Sequence, residues 1–503
     1  MPRDVHAEPV LATSRIQGDL LPGLLKKNEL LLFFRIDDPG DFLPFLKGLP
    51  LTSMQTVLDQ RAEVADRRSR GVTALIPAPG LNVAFTFDGL TKLGVTGLSG
   101  APGLTEFEAG MAARQTVLSD PDPAHWRSVG PQRPADGVFV LTGASRAEID
   151  DTIALHLAPA GANGWTVVRE EAGVVRPDPV HGHEHFGYAD GVSQPGVRGT
   201  TPDGAILTPS VDADDRPDQG ALGQDLLWPG EFVFGYPGQD PQLGDAGADF
   251  AKQGAVVAPP VPFMDQGAFL VFRRLAQKVP EFDASVRTLA RQTTGVDTAS
   301  AELLGAQLVG RWKSGAPLVL SPVKDDLSLA EGSPRDNDFE FGDDREGVRC
   351  PWAAHVRKAY PRDDVRHSTT PTETEVAQAE AFTQTRRMMR RGISFGPELS
   401  HAEALSGHTT QQRGLLFLCY VTSVAEQFEF VQQAWVDAPD FSQVGSGVDP
   451  IIGQPHTGTL PFLGAAPFSE DPTNKPQLAV PHFVTMEGGD YFFAPGLDAI
   501  QAL

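Results

Sequence analysis

Only two cysteines, Cys350 and Cys419, occur in 503 residues. One pair of thiols cannot carry a disulfide framework for so long a chain, and their scarcity suits a reducing compartment. Cations are scarce as well: 41 Lys and Arg against 65 Asp and Glu leave a formal charge of −24. That balance disfavours nucleic acid or an anionic membrane as partner and favours solubility. Long apolar runs are missing too. The longest near the start, Leu30-Leu31-Leu32-Phe33-Phe34, falls far short of a membrane span. Residues 1–24 carry Asp4, Glu8 and Asp19 without an apolar core or a twin-arginine pair, so no secretory leader is expected. These absences predict a soluble cytoplasmic protein, and the length predicts more than one domain.

Present instead are strands and helices in mixture. Leu30 to Ile36 reads as a buried strand followed by a helix around Pro44, and Gly267 to Arg273 echoes that strand in the second half, which hints at duplication. Further strands are predicted at Asn82–Phe87, Gly137–Leu141, Glu231–Gly235 and Gly414–Val421, and a helix at Ser145–Leu157. The proportion predicts an α+β fold with antiparallel sheets. Thr200 to Trp228, rich in Pro, Gly and Asp, reads as a linker (201–228) between an N-terminal domain, 1–200, and a C-terminal domain, 229–503. Glu331 to Gly347, charged and irregular, reads as a surface excursion. Thr370-Pro371-Thr372-Glu373 has a capping-box pattern with Pro at the first helical position, which would place Arg390 on that helix's last turn, before Gly392.

The most informative segment is Phe186-Gly187-Tyr188-Ala189-Asp190-Gly191-Val192-Ser193-Gln194-Pro195-Gly196. Glycines at 187 and 191 permit positive φ and close backbone approach to a flat ligand, so Asp190 is expected to point at something other than bulk water. A solvated Asp in a plain turn is the bland alternative. Downstream, Cys350-Pro351-Trp352-Ala353-Ala354-His355-Val356-Arg357-Lys358-Ala359-Tyr360-Pro361-Arg362 sets one histidine just before three cations in an acidic chain. That suits a macrocycle held by its iron and salt-bridged through its propionates. A third segment is Arg386-Arg387-Met388-Met389-Arg390-Arg391-Gly392-Ile393-Ser394-Phe395-Gly396.

Together these segments resemble the dye-decolourising peroxidase family, in its longer bacterial cytosolic or fungal type. The resemblance runs from Ile16-Gln17-Gly18-Asp19-Leu20 to Phe492-Phe493-Ala494-Pro495, with softer matches at Gly310-Arg311-Trp312-Lys313-Ser314-Gly315 and Val448-Asp449-Pro450-Ile451-Ile452-Gly453. It implies two ferredoxin-like domains with peripheral helices, and one haem b per chain between sheet and helices of the C-terminal domain. It implies hydrogen peroxide as oxidant, and dyes, phenolics or, in some members, manganese(II) as reductants.

The same resemblance implies the roles. Asp190 is the proton carrier, and Arg390 the cation that stabilises charge as the O–O bond breaks. His355 is the iron ligand, Asp449 accepts its Nδ1 proton, and Arg357 pairs with a propionate. Gly191, Val192 and Ser193 line the haem edge; Leu415 and Phe417 wall the distal side. An aspartate has an ordinary pKa of about 3.9, against about 6.5 for the histidine of other peroxidases, so an acidic optimum is expected. Phe395 stands where some members carry an electron-transferring tyrosine, which leaves Trp435 and Tyr420 as candidates; Tyr360 stands where the family commonly has asparagine, and only a local effect is expected from it.

Two other readings compete. His181, His183 and His185 alternate at period two, and on a strand would share one face as ligands of a non-haem metal enzyme. A haem carrier or sensor would keep His355 but needs neither Asp190 nor Arg390.

Overall fold

Strand β1 (Asn28–Ile36) is apolar almost throughout, because both of its faces are covered. Leu30, Leu32, Phe34 and Ile36 join one buried cluster, and Leu31 and Phe33 join another. Alternate side chains thus serve separate cores, and the polar alternation of a half-exposed strand is absent. Each such Leu or Phe contributes about 1.5–3 kcal/mol by burial.

The computed structural model describes residues 7–158, 161–210, 219–240, 252–294, 298–454, 459–464 and 477–503. Its main sheet continues with β2 (Gly80–Phe85), β3 (Gly137–Gly143), β4 (Trp165–Val174), β5 (Ala268–Gln277), β6 (Met389–Arg390), β7 (Ile393–Phe395), β8 (Gly414–Val421) and β9 (Val484–Ala494). The order is β6-β8-β5-β9-β2-β3-β1-β4, with β7 also on β8, and every pairing is antiparallel. With β6 and β7 counted as one interrupted strand, since both pair with β8, each half follows the ferredoxin-like order 4-1-3-2. The two strands that echo each other in sequence, β1 and β5, are the first strand of each half.

One seam joins β9 to β2 through Phe493 and Phe85. At the other end β4 comes against β7: a Cβ on Gly173 would fall 2.2 Å from Ile393 Cγ2, so only glycine permits the approach. The sheet therefore curls into a barrel with helices outside it. On β8, Leu416, Leu418 and Tyr420 belong to the cluster inside the barrel, while Leu415 and Phe417 face the outer layer. That layer includes α1 (Pro39–Gly48), α2 (Val279–Thr294) and α3 (Thr298–Val309). Asp38 caps α1 by accepting from Gly40 N and Asp41 N, with Pro39 opening the helix.

Several local expectations are corrected. Glu231–Gly235 is no strand; Pro229–Glu231 is a 3₁₀ turn, and Phe232, Val233 and Phe234 are apolar because they are buried beneath it. Strand β2 stops at Phe85 because Thr86 caps the following helix, accepting from Gly89 N. The helix from Ser145 is present, Ser145 capping Arg146–Thr152 and a π turn carrying it to Leu157. Helix α5 (Glu373–Gln384) is capped by Thr372 with Glu375, two residues later than the sequence pattern implied. Arg390 lies on strand β6 opposite Cys419, not on a helix end. Within 331–347, Glu331, Gly332, Pro334 and Arg335 are exposed, as a surface excursion requires, whereas Phe339 and Phe341 are buried and line a cavity. Part of the anticipated linker, 211–218, lies outside the described residues. No helix among the described residues is long and apolar enough to cross a membrane.

Candidate active site

Between the outer face of β5 and β8 and the helices that cover it lies a cavity of about 420 Å³. Residues from all three diagnostic segments line it, including Asp190, His355 and Arg390.

Asp190 is presented by a turn built on glycine. Gly187 and Gly191 have φ of +93° and +81°, as their spacing implied. Asp190 N donates to Gly182 O at 2.9 Å, and its own Oδ1 accepts from Gly191 N at 2.7 Å. Behind the turn, the Glu184 carboxylate accepts from Phe186 N and Tyr188 N, both at 2.8 Å, and from Gln277 Nε2 at 2.6 Å. Burial pushes Glu184 above the usual carboxylate range. Glu184 was not singled out in the sequence; its place two residues before Phe186 gave no signal apart from the turn it braces.

Arg390 is tied to the same turn by its backbone. Gln194 Nε2 donates to Arg390 O at 2.6 Å, and Arg390 N donates to Gln194 Oε1 at 3.4 Å. Its guanidinium borders the cavity with no carboxylate within 4 Å among the described residues. Burial pulls it below its usual range, opposed by the charge of Asp190.

His355 opens α4 (His355–Ala359), which packs against the π-helical turn Val431–Val436, and lines the same cavity. Its Nδ1 lies 2.7 Å from Asp449 Oδ2, and Asp449 Oδ1 accepts from Ile451 N at 2.8 Å and Ile452 N at 3.0 Å. Burial lowers the imidazole pKa, but the Asp449 charge and hydrogen bond outweigh it, so the net shift is upward. Arg390 and Asp190 act more weakly, in opposite senses. With Nδ1 engaged, Nε2 is left for a ligand on the cavity side.

The remaining assignments divide. Gly191, Val192, Ser193, Leu415 and Phe417 all line the cavity, and Asp449 lies fully buried behind His355. Arg357 does not reach the cavity. Its side chain is fully buried and held by Asp364 (2.6 and 2.8 Å) and Asp344 (3.3 Å), so the propionate assignment is corrected: the guanidinium is already neutralised inside the fold. The cations that do border the cavity include Arg311, Arg362 and Arg387. Arg311 was legible only as part of the softer Gly310–Gly315 match. Trp435 is buried in the cavity wall and stacked on Phe441, whereas Tyr420 points into the barrel and donates to Asp19 at 2.7 Å.

The three histidines do not form a site. Residues 181–185 are a turn, His183 Nδ1 meets His181 O and His185 Nε2 meets Phe395 O, each at 2.9 Å. Among the described residues no group of three or more His, Cys, Asp or Glu is placed to hold a metal ion.

The donor set fits an iron macrocycle: one imidazole backed by a carboxylate, apolar walls, and cations at one rim. With an acid and an unpaired arginine in the same cavity as that imidazole, the class so defined is the haem peroxidases. A family model described as the DyP dimeric alpha+beta barrel domain matches residues 15–177. The chain is 34% identical over 500 residues to the dye-decolorizing peroxidase msp1 of Mycetinis scorodonius (97% of this chain, 86% of that protein). It is 30% identical over 515 residues to the multifunctional dye peroxidase DyP2 of an Amycolatopsis species (100% and 98%). Among solved structures, an ancestral D-type dye-decolorizing peroxidase superposes with TM-score 0.78 at 33% identity (98% and 99% covered). The Auricularia auricula-judae enzyme complexed with imidazole gives 0.75 at 32% (97% and 98%). The chain belongs to the dye-decolourising peroxidase family and is a peroxidase of the α+β type.

Proposed function

We propose that the chain reduces hydrogen peroxide at one haem b and oxidises dyes, phenolics or similar one-electron donors, manganese(II) among them. The observation that supports this reading is that Asp190, Arg390 and His355, the last backed by Asp449, line one cavity.

The haem supplies the redox chemistry. Around it, His355 Nε2 would hold the iron, and Asp449 would keep the Nδ1 proton and raise the imidazole's basicity. Asp190 would take up a proton from bound peroxide and give it back, and the glycine turn and Glu184 fix its direction. Arg390 would stabilise negative charge that develops on the peroxide, and its guanidinium has no counter-ion among the described residues to compete for it. Leu415 and Phe417 exclude water and bulky donors. Gly191, Val192 and Ser193 would border the haem, and Arg362, of whose guanidinium only Nη1 donates to described residues, would pair with a propionate in place of Arg357.

We further assign the first unit to 1–200, the connection to 201–228 and the haem-binding unit to 229–503. A cytoplasmic location is supported by Cys350 and Cys419, both free and buried. The test is the absorption spectrum of the haem-loaded protein before and after one equivalent of peroxide. The expected result is a Soret band that shifts at once in the wild type, slowly in Asp190→Ala, and is weakened or lost in His355→Ala. A Soret band inert to peroxide in the wild type would identify a carrier.

A further inference from the structure

We propose that Tyr360 is a redox residue of this enzyme: it gives an electron to the oxidised haem site and its phenolic proton to Asp225. The inference rests on the haem-peroxidase reading and extends it.

The chain has five tyrosines. Tyr236 and Tyr420 belong to the cluster inside the barrel, and Tyr491 is buried with its hydroxyl on Glu429. Tyr188 and Tyr360 line the cavity. Of these two, only Tyr360 donates its hydroxyl to a carboxylate among the described residues, Asp225 Oδ2, which also accepts from Arg387 Nη1. Asp225 is buried, and Tyr360 is half-buried in the cavity wall beside it.

The surroundings dictate the form of the oxidation. Arg387 Cζ stands 3.7 Å from the centre of the Tyr360 ring and Arg362 Cζ 5.1 Å. Two guanidinium groups so close penalise positive charge on the ring, so an electron cannot leave with the proton still in place. Nor does the proton leave first: burial and the Asp225 charge hold the phenol well above its usual range. Electron and proton therefore depart together. The Tyr360 O–H bond breaks, an O–H bond forms on Asp225, one electron reduces the site that peroxide has oxidised, and a neutral phenoxyl faces a neutral carboxylic acid. An external one-electron donor reverses the step, the proton returning from Asp225.

The test is electron paramagnetic resonance of the haem-loaded full chain, freeze-quenched after one equivalent of hydrogen peroxide, with its Soret band recorded in parallel. Wild type is expected to show a tyrosyl signal that narrows when the protein carries ring-deuterated tyrosine. Tyr360→Phe, which keeps the ring between its two arginines, is expected to lower that signal at least about tenfold while its Soret band still shifts, and Asp225→Asn to lower it by a similar factor. A Soret shift with no tyrosyl signal, or with one that persists in Tyr360→Phe, overturns the inference and leaves the peroxidase reading standing. A Soret band inert to peroxide in the wild type overturns both.

Discussion

His355 Nδ1 and Asp449 Oδ2 lie 2.7 Å apart, and the second carboxylate oxygen is held by two backbone amides, so the imidazole has one tautomer and one direction. Asp449→Asn keeps the volume but removes the charge. It is expected to weaken haem retention by roughly 10- to 100-fold, read by titrating haem into the haem-free protein at the Soret band.

In the same cavity, Asp190→Asn is expected to slow the spectral change caused by peroxide by about 100- to 10,000-fold, the usual contribution of a placed acid–base group. Arg390→Leu is expected to cost about 100- to 1,000-fold. Stopped-flow measurement of the Soret change checks both.

Arg357 offers a contrast, since it sits in the same segment as His355 but serves the fold. Arg357→Leu would leave Asp344 and Asp364 buried without their cation, at a cost of about 3–5 kcal/mol. Urea unfolding should show that loss, whereas the haem affinity of the folded fraction should hold. Arg357→Lys should recover only part of it, because one ammonium cannot span both carboxylates.

The protein is expected to be more stable in mild acid. Burial pushes Glu231 from 4.5 up to about 7, with Gln239 N opposing, and carries Asp437 to about 7 and Asp490 to about 6. Each is an acid whose pKa is higher folded than unfolded, so its contribution is complete below the unfolded value and is lost as pH rises through 6–7. For Glu231 the span corresponds to on the order of 3 kcal/mol. The thermal midpoint should fall between pH 5 and pH 8, and Glu231→Gln should flatten that fall.

Much of this was legible in the chain. The Asp190 turn could be read because glycine at 187 and 191 is a backbone requirement, and such requirements are local. The echo of β1 in β5 was readable because strands buried on both faces are continuously apolar. Arg357 was misassigned because its partners, Asp344 and Asp364, flank it at 13 and 7 residues' distance in segments without periodicity, and proximity in sequence to His355 does not reveal which way a side chain turns. Arg390 was put on a helix because a basic run before glycine imitates a helix end; its pairing with Cys419 is a contact between segments that local pattern does not encode. Glu184 and Gln194 escaped notice because their work is to hold other residues' backbones.

Gln194, in the first half of the chain, grips Arg390, in the second, by both of its peptide groups. The two halves share a strand order, yet the acid comes from one and the cation and the imidazole from the other. Neither half holds a complete site, and a change in the turn around Asp190 is felt through Gln194 by a strand about 200 residues away.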